Sequence, residues 1–395
     1  MVSKEMVALA SKRSVIREIY EYGQQRQLIV GKENVYDFSL GNPSVPAPKE
    51  VNLCVKEILD QYSAVEVHGY TVAPGDPSVR ETIAHSLNQR FQMDYKKEDI
   101  FMTTGAAASL NIVFRALTNP KDEFVTIAPF FPEYQCFVTA QGGTLKVVPA
   151  DIDTFQINME ALENMITPNT KGIIINSPNN PCGVVYSKET LVELANLLKK
   201  KSQEYQHTIY LISDEPYREI VYQGVTVEYV PHIYKDTIVC YSYSKSLSLP
   251  GERIGYIAVT KEVEEYDDLM KAIASAARVL GYVNAPSLFQ RVAARCCDMT
   301  GDISIYEKNR NLLYDGLTKM GYTCVKPGGA FYLFPRALEE DAVSFCEKAK
   351  KYDLLLVPGD SFGCPGHVRI SYCVDTKTIE NALPLFEKLA KEYGI

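Results

Sequence analysis

Ile238-Val239-Cys240-Tyr241-Ser242-Tyr243-Ser244-Lys245-Ser246-Leu247-Ser248-Leu249-Pro250-Gly251-Glu252-Arg253-Ile254-Gly255 begins as an apolar run and ends in hydroxyls, a lysine and an arginine. The opening residues have the length and β-branched content of a buried strand. A lone lysine is ordinarily a solvated surface residue. Lys245 directly follows the buried run and stands among serines, which places it at a strand end rather than on the surface. Six more runs of this kind surround it in sequence, at 100–103, 124–127, 144–148, 172–176, 209–213 and 254–259, with the first run read as 238–241. Helical segments such as 188–203 separate them. Near-continuous apolar strands alternating with helices predict an α/β fold with a mostly parallel, seven-stranded sheet covered on both faces. Ligands on such sheets sit at the carboxyl ends of the strands.

Three further strand ends are unusual. Thr103-Thr104-Gly105-Ala106-Ala107-Ala108-Ser109-Leu110 runs from strand to helix through small residues. That lets an anion approach the N–H groups of a helix N-terminus, although a tight turn without a ligand has the same composition. Asn176-Ser177-Pro178-Asn179-Asn180-Pro181-Cys182-Gly183 reads as a rigid loop presenting amides, or as plain turn chemistry. Ile212-Ser213-Asp214-Glu215-Pro216-Tyr217 brings a carboxylate to a strand end, where a helix cap is its common use. Taken with Lys245, Ser242, Ser244 and Arg253, these parts match what pyridoxal phosphate requires: a lysine for a Schiff base, an aspartate for the pyridinium nitrogen, and N–H groups, hydroxyls and a cation for the phosphate.

Composition narrows the remaining classes. The chain has 395 residues, 46% hydrophobic and 23% charged, which suits a globular protein of about two domains. With 41 Lys+Arg against 49 Asp+Glu, the net charge is −8, so no nucleic-acid or anionic-membrane partner is expected. The first residues lack an apolar secretory core, and the ten cysteines are scattered with no C-x-x-C pair. Both features predict a cytoplasmic protein with reduced thiols and no metal site. There is no Trp, against 26 Tyr and 15 Phe, so any flat stacking surface must come from Phe, Tyr or His. The stretch 14–28 reads as a helix, and a long helix is expected over 287–304, continuing past Tyr306. The domain reading is a large domain at 45–290 and a smaller α+β domain formed by 1–44 together with 291–395.

On these motifs the whole chain resembles the class I pyridoxal-phosphate aminotransferases of fold type I, the aspartate aminotransferase superfamily. Asn180-Pro181-Cys182-Gly183 is similar to the family's N-P-x-G loop, and Gly69-Tyr70-Thr71, Pro327-Gly328-Gly329-Ala330-Phe331 and His367-Val368-Arg369-Ile370-Ser371-Tyr372 match further family motifs. The resemblance implies that Lys245 forms the Schiff base and shuttles the proton. It implies that Asp214 pairs with the pyridinium nitrogen, and that Tyr217 and Asn180 bind the ring oxygen. By the same likeness Ala106, Ala107, Ser242, Ser244 and Arg253 hold the phosphate, joined by Tyr70 from the second subunit of a homodimer. Phe131 stands where aspartate enzymes often carry the stacking Trp, and Tyr134 where they carry a His supporting the aspartate, which makes Tyr134 a candidate donor to Asp214. Arg369 would clamp the substrate carboxylate, with Gly41 close by. Ile16 and Arg17 are candidates for a mobile lid, and Arg278 for binding a distal carboxylate.

The activity implied is ping-pong transfer of an amino group from an L-amino acid, with aspartate, aromatic amino acids and alanine as first candidates, to a 2-oxo acid such as 2-oxoglutarate. A C–S β-lyase of the same fold is the alternative. A transcription regulator with an aminotransferase-like module would need an additional DNA-binding domain, and a Rossmann dehydrogenase would need a G-x-G-x-x-G after an early strand, a motif the chain lacks.

Overall fold

Each of the seven apolar runs becomes a strand of one sheet. In a computed structural model the chain is described at residues 2–11 and 14–395. Across the sheet the strands lie in the order Ile100–Thr103, Gly255–Val259, Thr237–Ser242, Tyr210–Asp214, Thr170–Asn176, Glu123–Ile127, Thr144–Val148. Neighbours pair in parallel, except that Gly255–Val259 runs antiparallel to both strands beside it.

Alternation along the strands divides the sheet's side chains between its two faces. Ile174, Ile212, Ile238 and Ile257 pack on one face with Ile112 and Phe114 of helix Ala106–Leu117 and Ile273 of helix Tyr266–Leu280. Ile173, Ile175 and Leu211 pack on the other with Leu191, Leu194 and Leu198 of helix Lys188–Tyr205. Both faces being covered explains why the strands read as apolar without alternation. The register brings the polar strand ends together: Asn176 pairs with Asp214, and Thr103 and Ser242 both pair with Gly255.

The remaining chain builds a smaller α+β unit. Val357–Pro358, Val368–Ser371 and Tyr332–Leu333 form an antiparallel three-stranded sheet. Helices Ser304–Lys319, Ala342–Ala349 and Thr376–Glu392 enclose its core with Leu313, Phe345, Ile379 and Phe386. The N-terminal segment joins this unit, because Tyr36–Asp37 pairs in parallel with Leu354–Leu355. Among the described residues, no helix is long and apolar enough to cross a membrane.

One expected element is different. The long helix from 287 past Tyr306 is two helices, Ser287–Arg295 and Ser304–Lys319. Between them Gly301 donates its N–H to the Ser246 carbonyl at 2.8 Å, and Asp302 accepts from the Ser304 N–H at 3.1 Å to start the second helix. Thr300-Gly301-Asp302 is poor helix sequence, and that local preference overrides the apolar periodicity on either side.

Candidate active site

A cavity of about 310 Å³ opens at the carboxyl ends of the large sheet, against the smaller unit. Four strand ends and the small sheet supply its walls. At the end of Tyr210–Asp214, Asp214 is buried. Its Oδ2 accepts from Tyr134 Oη at 2.6 Å, while Oδ1 is buried with no hydrogen-bond partner among the described residues. It is therefore no helix cap. Burial pushes the Asp214 carboxyl up to about 7, against the Tyr134 hydrogen bond, with the nearby Glu215 charge adding to the rise.

Lys245 sits in the short helix Tyr243–Ser246, directly after strand Thr237–Ser242. Its Nζ donates to the Gly41 carbonyl at 2.7 Å. Burial brings Lys245 down to about 8, with Arg253 and Arg369 pushing the same way and Cys373 opposing. Beside it, Ser244 N–H donates to Ser242 Oγ at 3.1 Å and the two hydroxyls lie 2.8 Å apart.

Arg253 has a positive φ of 52° and its Nη1 donates to the Pro250 carbonyl at 2.9 Å. That turn folds the guanidinium back toward helix Ala106–Leu117. Gly105 precedes this helix at φ 98°, and a methyl there would lie 3.2 Å from Arg253 Nη2. Ala106, Ala107, Ser242, Ser244 and Arg253 thus line one end of the cavity with N–H groups, hydroxyls and a cation.

At the opposite end, Arg369 comes from the small sheet. Its Nη1 donates to Asn180 Oδ1 at 3.1 Å and its Nη2 donates to the Ser39 carbonyl, whereas Nε is buried without a partner among the described residues. Tyr332 and Phe362 flank the guanidinium, with ring centroids 4.8 and 5.0 Å away. The Asn180 backbone is fixed by Asn176, whose Oδ1 accepts from Asn180 N–H at 2.7 Å and whose Nδ2 donates to the Asp214 carbonyl at 2.8 Å. Tyr217 Oη lies 2.8 Å from Tyr332 Oη. Phe131 and Ile16 line the cavity as well.

Tyr70, Arg17 and Arg278 are not brought to the cavity of this chain. Tyr70 is 96% exposed, and Arg17 and Arg278 are also exposed. Five lining residues were not singled out from sequence: Leu110, Asn176, Pro216, Pro250 and Tyr332. The strand-end position of Asn176 was a usable signal. Tyr332 follows a matched motif, but its contacts depend on tertiary structure.

The donor set fits the cofactor that the resemblance implies. A buried carboxylate oxygen without a partner suits a protonated ring nitrogen, and the end bearing Arg253 suits a phosphate. Among the described residues, no cluster of His, Cys, Asp or Glu could hold a metal ion, and all ten cysteines are free thiols.

Known proteins share the sequence pattern and the fold of this chain. The family described as aminotransferase class I and II matches residues 33–385. Over 366 residues the chain is 31% identical to an aspartate aminotransferase of Thermotoga maritima, covering 92% of this chain and 93% of that one. An aminotransferase structure from Eubacterium rectale superposes with a TM-score of 0.98 at 56% identity, over the full length of both chains. The aspartate aminotransferase of Thermus thermophilus with maleate gives 0.84 at 27% identity, over 98% of this chain and all of the other.

Proposed function

Because the chain belongs to the class I and II aminotransferases and is a pyridoxal-phosphate enzyme of fold type I, we propose that Lys245, Asp214 and Arg369 are its working residues and that its donor is an L-amino acid of the aspartate, aromatic or alanine type. All three converge in one cavity, where Asp214 Oδ1 and Arg369 Nε are both buried and, among the described residues, without partners.

Pyridoxal phosphate, when bound, supplies an aldehyde to take up the amino group and an electron-withdrawing ring that makes the substrate's α-proton acidic. The protein's part is to bind, orient and move a proton. Asp214 Oδ1 holds the proton on the ring nitrogen, and Tyr134 keeps the carboxylate in place through Oδ2. Tyr217 and Asn180 would donate to the ring oxygen. Ala106, Ala107, Ser242, Ser244 and Arg253 would hold the phosphate, and Phe131 would lie against the ring. Arg369 binds the substrate's α-carboxylate as a fork, and Gly41 leaves room beside it. Lys245 Nζ carries the α-proton. An amine with a pKa near 8 is neutral in a useful fraction at physiological pH, as a base must be. Ile16 closes the substrate end. In two half-reactions the donor leaves as a 2-oxo acid and an acceptor such as 2-oxoglutarate enters.

The assembly we propose is a homodimer in which Tyr70 reaches the neighbouring site. The exposure of Tyr70, Val65 and Val279 supports it. Residues 45–290 act as the cofactor domain and 1–44 with 291–395 as the small domain. Ten free thiols support a reducing, cytoplasmic setting.

The test mixes the cofactor-loaded protein with single amino acids, without acceptor. True donors convert the bound cofactor to its amine form, read by absorbance, and Lys245→Ala abolishes the conversion. Release of pyruvate and ammonia from a cysteine conjugate, without that conversion, would identify the β-lyase instead, a reaction the relatives do not favour.

A further inference from the structure

Tyr332 touches three parts of the cavity at once. Its Oη lies 2.8 Å from Tyr217 Oη, and either hydroxyl can donate. Its ring lies under the Arg369 guanidinium. Its tip backs onto Gly41, where an added methyl would stand 1.9 Å from Tyr332 Oη, and the Gly41 carbonyl accepts from Lys245 Nζ. Tyr332 and Tyr217 are buried at 2% and 4% exposure. A buried hydroxyl needs a partner, and among the described residues Tyr217 is the one hydrogen-bond partner of Tyr332 Oη.

Two hydroxyls here carry two protons and share one hydrogen bond. If Tyr217 donates to Tyr332, it has no proton left to offer the cavity. If Tyr332 donates, the Tyr217 proton is free for a ligand oxygen. We propose, resting on the reading of the cavity given above, that Tyr332 is a positioning residue: its hydroxyl donates to Tyr217 Oη and turns the Tyr217 O–H toward the cofactor's ring oxygen, while its ring supports the Arg369 guanidinium. Hydrogen bonds in such a chain strengthen one another, so Tyr217 becomes a stronger donor. A strong donor at the ring oxygen draws negative charge from it and so lowers the proton affinity of the Lys245 nitrogen joined to the cofactor. The other titratable groups around this pair are Asp214, Tyr134, Lys245, Arg253, Arg369 and Cys373, and all are unchanged in the variants below.

The test titrates the visible absorbance of the cofactor-loaded protein against pH. Tyr332→Phe moves the midpoint upward by about one pH unit, the size of one charge-assisted hydrogen bond. Tyr217→Phe moves it at least as far, and the double variant adds nothing further, because both act through one hydroxyl. Tyr332→Phe leaves KM for the amino donor within about twofold, since the ring remains under Arg369, whereas Tyr332→Leu raises it. A ring-fluorinated tyrosine at position 332, a stronger donor that preserves the packing, lowers the midpoint. A midpoint unchanged in Tyr332→Phe and in the fluorinated protein, or a shift that adds in full to that of Tyr217→Phe, overturns the inference. If the wild type has no cofactor band, the reading of the cavity falls and this inference with it.

Discussion

Tyr134 Oη donates to Asp214 Oδ2 at 2.6 Å across 80 positions of sequence, while Asp214 Oδ1 has no partner among the described residues. One oxygen is used to hold the carboxylate, which leaves the other for a cationic group. Removing the donor weakens that hold. Tyr134→Phe is expected to lower the affinity for pyridoxal phosphate about tenfold, the value of one hydrogen bond to a charged group. Equilibrium titration of the cofactor-free protein reads it.

Asp214 also makes the stability of the cofactor-free protein depend on pH. Its folded value, about 7, lies above its ordinary 3.8 because it is buried. The folded state therefore binds the proton more tightly than the unfolded state. The resulting stability is fully present below about pH 4 and is lost as pH rises through about 7. Asp214→Asn, neutral throughout, is expected to gain on the wild type across this window, by on the order of 4 kcal/mol at pH 8. Thermal or urea unfolding of both cofactor-free proteins at pH 5 and pH 8 measures the gap. In the loaded enzyme the same change is expected to lower kcat by about 100-fold or more, since the carboxylate's charge is then missing.

Lys245 reacts with an aldehyde only as the neutral amine. Burial lowers its value to about 8, with Arg253 and Arg369 adding to the effect. The rate at which cofactor-free protein captures pyridoxal phosphate should rise about tenfold per pH unit below about 8 and level off above it. A stopped-flow pH series checks this. A rise continuing toward pH 10 would mean an ordinary exposed lysine.

Arg369 is held between the rings of Tyr332 and Phe362 and hydrogen-bonded to Asn180. A lysine there keeps the charge but loses the planar fork and the stacking. Arg369→Lys is expected to raise KM for the amino donor by about 10- to 100-fold. Steady-state kinetics with the best donor measures it.

The large sheet was readable because strands buried on both faces leave unbroken apolar runs. The runs at 100–103 and 144–148 match their strands, and 209–213 missed its strand by one residue at each end. Lys245, Asp214 and Arg253 stood out because charged residues beside such runs are unusual. The break was signalled only by Thr300-Gly301-Asp302, and the helices on either side of it pack into different cores. The Tyr134–Asp214 bond was anticipated only through family likeness, since it spans 80 positions. The Tyr217–Tyr332 contact spans 115 and left no local pattern. Tyr70 was read only through family likeness, and the structure shows it exposed and outside this chain's cavity.

If Lys245 is the residue joined to the cofactor, reduction traps the cofactor there. Borohydride reduction of the pyridoxal-phosphate-loaded protein, followed by peptide mass spectrometry, tests it directly. One reduced cofactor adduct per chain is expected, on the peptide containing Lys245, and none in Lys245→Ala. An adduct on another lysine, or persistence of the adduct in Lys245→Ala, would contradict it.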